Sequence, residues 1–165
     1  MNFEIAEPTE IEEINRLIES SKRYWGYSDE LMEVWQRDLL VTRKDLNSRT
    51  FWLMKINTEM VGVFSLSLLS EGIFELEDFW LNPSAIGNGL GRKMFQFMIH
   101  CLQSTEATKL VIVSDPHAEG FYKKMGATRV KFVNSKPEGR MLPVMDLLLP
   151  GNQGQTTFKL ATNRL

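Results

Sequence analysis

The sequence predicts one α+β (mixed α/β) domain, a mixed central sheet of about seven strands flanked by four helices. Three observations carry that expectation. Three mostly apolar extended segments follow one another at hairpin spacing between Phe51 and Leu81. Beyond them the chain changes to alternating helices and strands. Its 165 residues, 43% of them apolar, suffice to bury one core.

Phe3 to Ala6 reads as a first short strand. Thr9-x-x-Glu12 has the form of a capping box, followed by the helical apolar stripe Ile11, Ile14, Leu17 and Ile18. Tyr24-Trp25-Gly26-Tyr27 interrupts that helix, and Ser28 is a suitable N-cap for a second carrying Leu31, Val34, Trp35 and Leu39. The strands Phe51–Ile56, Met60–Leu69 and Ile73–Leu81 are separated by Asn57-Thr58-Glu59 and Ser70-Glu71-Gly72, breaks short enough for antiparallel hairpins. Asn82-Pro83 ends the third strand, and the turn IGNGLG starts a helix with Leu90, Met94, Phe97, Met98, Cys101 and Leu102 on one face. Leu110–Ser114 is a continuous apolar run of the kind buried on both sides. Asp115-Pro116 is an N-cap with proline at the first helical position, and Gly126 stops the helix that follows. Thr128–Asn134 and Leu142–Leu149 close the order β-α-α-β-β-β-α-β-α-β-β. Residues 1–149 form the predicted domain, and 150–165 read as a polar, loosely held tail.

Composition narrows the function classes. No run approaches the ~18–20 apolar residues of a membrane span, and the opening MNFEIAEPTE is acidic rather than basic and then apolar, so the expected location is cytoplasmic. A net charge of −2, with no basic run longer than a pair such as Lys123-Lys124, argues against nucleic acid. Cys101 is the single cysteine, which excludes an intrachain disulfide, and neither His100 nor His117 has a partner at metal-ligand spacing.

Two motifs carry chemistry. At Ile86-Gly87-Asn88-Gly89-Leu90-Gly91-Arg92 a strand passes through glycines into a helix. Glycines let the backbone approach a pyrophosphate, and the N–H groups at the helix start bind that anion. About 30 residues on comes DPHAEGFYKKMGA, from Asp115 to Ala127. Together they resemble the GNAT acetyltransferase superfamily. Its acyl-CoA loop, Gln/Arg-x-x-Gly-x-Gly/Ala, is matched at Gly89 and Gly91. Its later hallmark, Asn-x-x-Ala-x-x-Phe-Tyr-x-x-x-Gly-Phe, is matched at Ala118, Phe121, Tyr122 and Gly126. ELEDFWLNP, SDPHAEGFYKKMGA and a late GRMLP also look like one bacterial branch of it.

The resemblance implies an N-acetyltransferase that uses acetyl-CoA, acts on a small-molecule or peptide amine and often forms homodimers. The expected cofactor contacts are Phe79, Trp80, Leu81, Ile86, Gly87, Asn88, Gly89, Leu90, Gly91, Arg92, Asp115, Ala118, Phe121, Tyr122 and Lys124. Tyr122 is the expected acid for the departing thiolate, with core packing its alternative. Ile86 departs from the usual Gln/Arg, and Asp115 from the usual Asn. That carboxylate would have to be offset by Lys123, Lys124 or Arg92.

Glu75-Leu76-Glu77-Asp78 places three acids in an otherwise apolar strand, where a carboxylate costs free energy unless it has a partner or a task. Alternation puts Glu75 and Glu77 on one face and Asp78 on the other. Glu75 is the first candidate for the base that deprotonates an ammonium acceptor, and Glu77 the second. On the architecture the resemblance implies, Tyr24, Trp25 and Tyr27 form the expected acceptor rim, with a hydrophobic plug under the first two helices as their alternative, and Arg140 faces them to bind an acceptor carboxylate. A non-catalytic acyl-CoA module on the same fold is the alternative function. A dinucleotide-binding oxidoreductase fits less well, because the third glycine comes one residue early for G-x-G-x-x-G and the turn follows an antiparallel meander.

Overall fold

The structure is a computed structural model that describes residues 1–137 and 139–150, apart from the side chains of Gln36 and Arg37. The expected tail, from residue 151 on, lies outside the described residues. Seven strands form one sheet: β1 (Asn2–Ile5), β2 (Thr50–Ile56), β3 (Glu59–Ser70), β4 (Ile73–Leu81), β5 (Lys109–Val113), β6 (Thr128–Ser135) and β7 (Arg140–Leu148). They lie in the order β1-β2-β3-β4-β5-β7-β6, and β4 with β5 is the parallel pair among antiparallel ones. Antiparallel neighbours need only short turns, whereas the parallel step needs a crossover. The helix α4 (Leu90–Gln103) supplies it.

The remaining helices are α1 (Ile11–Arg23), α2 (Asp29–Leu39), α3 (Arg43–Ser48) and α5 (Glu119–Lys124). Among the described residues the α-helices number five, one more than the sequence predicted. The unforeseen α3 has its own capping box, in which the Thr42 N–H donates to Asp45 Oδ2 at 2.8 Å. At the start of α1 the expected Thr9–Glu12 box is replaced by one between Glu7 and Glu10. Pro8 begins a 3₁₀ turn, Pro8–Glu10, that shifts the cap upstream.

Each face of the sheet has its own core. Met94, Phe95, Met98 and Leu102 of α4 pack on Met54, Phe64, Leu76, Ile112 and Met145. On the opposite face Ile14, Leu17 and Ile18 of α1 pack on Phe51, Leu53 and Val63. The expectation that β5 is buried on both sides fails at its end: Leu110 and Ile112 are buried, but Val113 is 38% exposed because it fronts two cavities instead of a helix.

Two features of β4 shape those cavities. It pairs with β5 only from Ile73 to Leu76, and beyond that point the two strands diverge. On its other edge, Leu76 pairs with Leu66 and Asp78 with Ser65, so Glu77 is an extra residue, a β-bulge. The bulge resets the alternation. Leu76 and then Phe79 and Leu81 join the α4 core, whereas Trp80 joins the α1 core. Asp78 therefore shares its face with Trp80 and Glu75, not the face opposite Glu75 that strict alternation assigns.

Candidate active site

The gap between the diverging ends of β4 and β5 is a cavity of about 600 Å³. Phe79, Trp80 and Leu81 line one side, Ile112 to Asp115 the other, and the glycine loop and α5 close it. The backbone of β4 is left open toward it. The Asn82 N–H donates to the Val61 carbonyl at 2.9 Å, which makes that facing pair a hydrogen-bonded one. Antiparallel pairs alternate, so Trp80 opposite Val63 is bonded as well, whereas Phe79 and Leu81 are not. The N–H groups of Phe79 and Leu81 thus point away from β3, into the space that β5 has left.

The loop before α4 is built for a close backbone approach. Gly87 and Gly89 have φ of 84° and 76°, and a Cβ at either would meet nothing within 4 Å. Their need for glycine is conformational, and the space beside them is open. Gly91 is required for a different reason: its Cβ would sit 3.1 Å from Leu81 Cδ1 and beside the Phe121 ring, so it lets α4 pack on β4. The N–H groups of the first turn, Leu90 to Arg92, have no partner within the helix and face outward with its positive dipole end. Of the residues expected to contact a cofactor, only Asn88 and Leu90 do not line the cavity. Asn88 Nδ2 donates to the Ser84 carbonyl at 2.9 Å and braces the loop, and Leu90 packs against the α4 core.

Tyr122 sits at the inner end, 5% exposed, its ring 5.2 to 6.2 Å from those of Phe79, Phe95 and Phe121. Burial, and secondarily the charge of Asp115, push its hydroxyl pKa well above the ordinary tyrosine value. The group stays protonated throughout the neutral range, and its hydroxyl has no hydrogen-bond partner among the described residues.

Of the two candidate bases, the bulge brings Glu77 to the cavity and leaves Glu75 outside its lining. Glu75 lies in the fully paired part of the sheet, opposite Ser67 on β3 and Val111 on β5, where burial and then the nearby Glu77 raise its pKa. Glu77 Oε1 accepts from Ser67 Oγ at 2.8 Å, and its Oε2 lies 3.6 Å from Arg49. Asp78 is held by Arg49 at 3.1 Å, by Ser65 Oγ at 2.5 Å and by the Trp80 indole N–H at 3.2 Å.

Asp115 is the centre of a charged cluster. Its Oδ1 accepts from the His117 N–H, the expected cap, at 3.0 Å. Its Oδ2 accepts from Lys22 Nζ at 2.5 Å and from Arg140 at 3.1 Å, and the Tyr27 hydroxyl donates to the same carboxylate at 2.9 Å. The counterions are thus Lys22 and Arg140, not Lys123, Lys124 or Arg92. Lys123 pairs with Glu119 instead. Burial alone would raise the Asp115 pKa, but the Lys22 hydrogen bond and charge, the His117 N–H and the Tyr27 hydroxyl together hold it below the ordinary carboxylate range. Burial holds the Lys22 pKa below that of a free lysine, and its ion pair with Asp115 opposes that shift.

Sequence reasoning missed Lys22, although Ile14, Ile18 and Lys22 form one i, i+4 row and the cation stands where a third apolar residue is due. It also missed His117, whose ring stacks on Trp25 at 5.2 Å within the cavity lining. Of the predicted rim, Trp25 lines this cavity and Tyr27 joins the Asp115 cluster. Tyr24 stands edge-on to Trp25 and is 52% exposed. Among the described residues no group of His, Cys, Asp and Glu is arranged to hold a metal ion, and no helix is long and apolar enough to cross a membrane.

The sequence profile of the Acetyltransferase (GNAT) family matches residues 12–127. The chain belongs to the GNAT acetyltransferase family. Solved structures share its fold. A GCN5-related N-acetyltransferase from Rhodopseudomonas palustris is 17% identical, with 90% of this chain and 95% of that one covered and a TM-score of 0.74. The PaiA N-acetyltransferase from Thermoplasma acidophilum, in complex with coenzyme A, is 18% identical over 88% and 98%, with a TM-score of 0.70. A GNAT acetyltransferase from Elizabethkingia anophelis with acetyl-CoA bound is 16% identical over 90% and 97%, with a TM-score of 0.64. No curated protein matches the chain at a significant level.

This GNAT protein is accordingly an N-acetyltransferase whose co-substrate is acetyl-CoA. Its residues fit that molecule: an open glycine loop with free N–H groups, Arg92 and Lys124 in the cavity lining, and an apolar cleft beside an unpaired strand edge. Saturating acetyl-CoA at a hundredfold excess over Kd should stabilise the fold by about 2.7 kcal/mol, roughly 5–10 °C in Tm for a chain of this size. Gly89→Val forces a β-branched residue to positive φ and should abolish the shift. A Gly89→Val protein that is folded and still shifts like wild type would remove the loop from the site.

Proposed function

We propose that the enzyme transfers the acetyl group directly to a primary amine, with Glu77 as the base and Tyr122 as the acid. The observation that supports this reading is the divergence of β4 and β5, which leaves the Phe79 and Leu81 N–H groups, Glu77 and Tyr122 around one cavity. Acetyl-CoA supplies a thioester-activated acetyl group. The first-turn N–H groups of α4, with Arg92 and Lys124, hold the pyrophosphate. The Leu81 backbone orients the pantetheine arm, and the Phe79 N–H is aimed where negative charge develops on the carbonyl oxygen. Glu77, directly or through one water, takes the proton from the acceptor's ammonium, and Tyr122 returns one to the thiolate, whose thiol pKa is ~8.5 by analogy with cysteine. Trp25, Tyr24 and Tyr27 border the acceptor's approach. A single cysteine suits a reducing cytoplasm, and a homodimer is the assembly the family suggests.

Glu77→Gln should lower kcat/KM at neutral pH by ~10²-fold or more. The loss should shrink as the pH rises and free amine becomes abundant. Glu75→Gln should keep the wild-type profile. A Glu77→Gln profile that runs parallel to wild type at every pH would assign deprotonation to solvent.

A further inference from the structure

A second cavity, of about 490 Å³, opens on the far side of Asp115. Trp80, Val113 and Asp115 belong to the lining of both cavities, so a molecule seated in the second has one end beside the first. Among its described lining residues the charge does not balance. Lys22 and Arg140 share one oxygen of Asp115, and Lys136 at the rim faces Asp38 at 3.5 Å. Among the described lining residues that makes three cations against two carboxylates, one positive charge in excess. The two inner cations are not solvated surface groups: their side chains are 6% and 17% exposed. Asp115 cannot take up the excess, since it already accepts from Lys22, Arg140, Tyr27 and His117. The Arg140 guanidinium has five N–H donors, of which Ser135, Tyr27 and Asp115 occupy part. The walls beside these cations are apolar, with Trp35, Trp80, Leu39 and Leu142.

We propose that this cavity receives the carboxylate of the acceptor, and that the amine acetylated belongs to a small free amino acid with an apolar or aromatic body. The assignment rests on the acetyl-transfer reading above and deepens it. A carboxylate supplies the missing negative charge and forms the charge-assisted pair for which arginine's fork is shaped. The body lies against Trp35 and Trp80, and the amine reaches past Trp80 to the first cavity. Polyamines and aminoglycosides would bring further positive charge to a site already in excess of it.

Thiol release from acetyl-CoA, measured with the twenty free amino acids, their carboxamides and spermidine, tests the proposal. The expected result is an apolar or aromatic amino acid with kcat/KM at least tenfold above that of its own carboxamide, and little turnover of spermidine. Arg140→Gln should then raise KM for that acid at least tenfold and narrow the gap to its amide, with the acetyl-CoA thermal shift retained. The comparison of acid with amide needs no variant, so it stands even if Arg140→Gln does not fold. Turnover of a carboxamide or of spermidine as good as that of any acid, or of no free amino acid at all, overturns the proposal. Wild-type protein that shows those outcomes yet still shifts with acetyl-CoA has lost the carboxylate pocket alone. Absence of the shift takes the acetyl-transfer reading down with it.

Discussion

Tyr122→Phe is expected to lower kcat by roughly 10²–10⁴-fold, the range for loss of a positioned general acid. The ring environment makes this a clean substitution. Tyr122 packs edge-on or tilted against Phe79, Phe95 and Phe121, and phenylalanine keeps all of those contacts. The hydroxyl that is removed has no hydrogen-bond partner among the described residues, so no buried group is left unpaired. Stability should stay within ~1 kcal/mol, and the acetyl-CoA thermal shift should persist. Because burial and Asp115 hold the pKa high, the wild-type hydroxyl carries its proton across the working range and should impose no falling limb near neutrality. A loss of activity below threefold would make Tyr122 a packing residue and assign the proton to water.

Asp115→Ala should be the most destabilising single change near the site. It strands two buried cations, Lys22 and Arg140, without their shared counterion and removes the cap on the 3₁₀ turn Pro116–Ala118. Breaking one side of a buried ion pair costs about 3–5 kcal/mol. At this chain length that is roughly 6–20 °C in Tm. Adding Lys22→Met should recover part of the loss, since one of the stranded charges is then gone. The acid limb follows with a definite sign. The folded pKa of Asp115 lies below its unfolded value, near 3.9, so its contribution is complete above that value and disappears as the pH falls through the folded one. Wild-type Tm should therefore fall more steeply below about pH 4 than that of Asp115→Asn. Asp115→Ala within 1 kcal/mol of wild type would refute the cluster's role as an anchor.

What could be read from the sequence is what depends on near neighbours. The glycine loop, the Asp115 cap, the break at Gly26 and the hairpin strands are local events, and each stands close to its expected residues. Two further signals are present in the sequence but depart from strict alternation and from a purely apolar stripe. Along β4 the core-facing residues step Phe74, Leu76, Phe79, Leu81, and the step of three marks the bulge that moves Glu77 to the cavity and Asp78 to the face of Glu75. In α1 the row Ile14, Ile18, Lys22 announces a cation pointed inward. The counterions of Asp115 were not legible at all. They come from positions 93 residues before it and 25 after it, brought together only by the sheet order. The place of β7 between β5 and β6 was hidden for the same reason, since antiparallel strands of similar composition do not announce their partners.

That place of β7 matters for how the molecule comes into being. Strand β7 is the last of the seven described strands to leave the ribosome, yet it lies inside the sheet, bonded to β5 on one side and β6 on the other. Until it arrives, β5 has one open edge and β6 has no strand to pair with. It also begins with Arg140, the residue that completes the ring around Asp115. A nascent chain stalled before Arg140 thus holds the glycine loop, α4 and Tyr122 on a sheet that is still open. A premature stop there should yield not a weakened enzyme but an aggregation-prone fragment, whereas trimming β1, bonded to β2 alone at the outer edge, removes a strand the site does not touch.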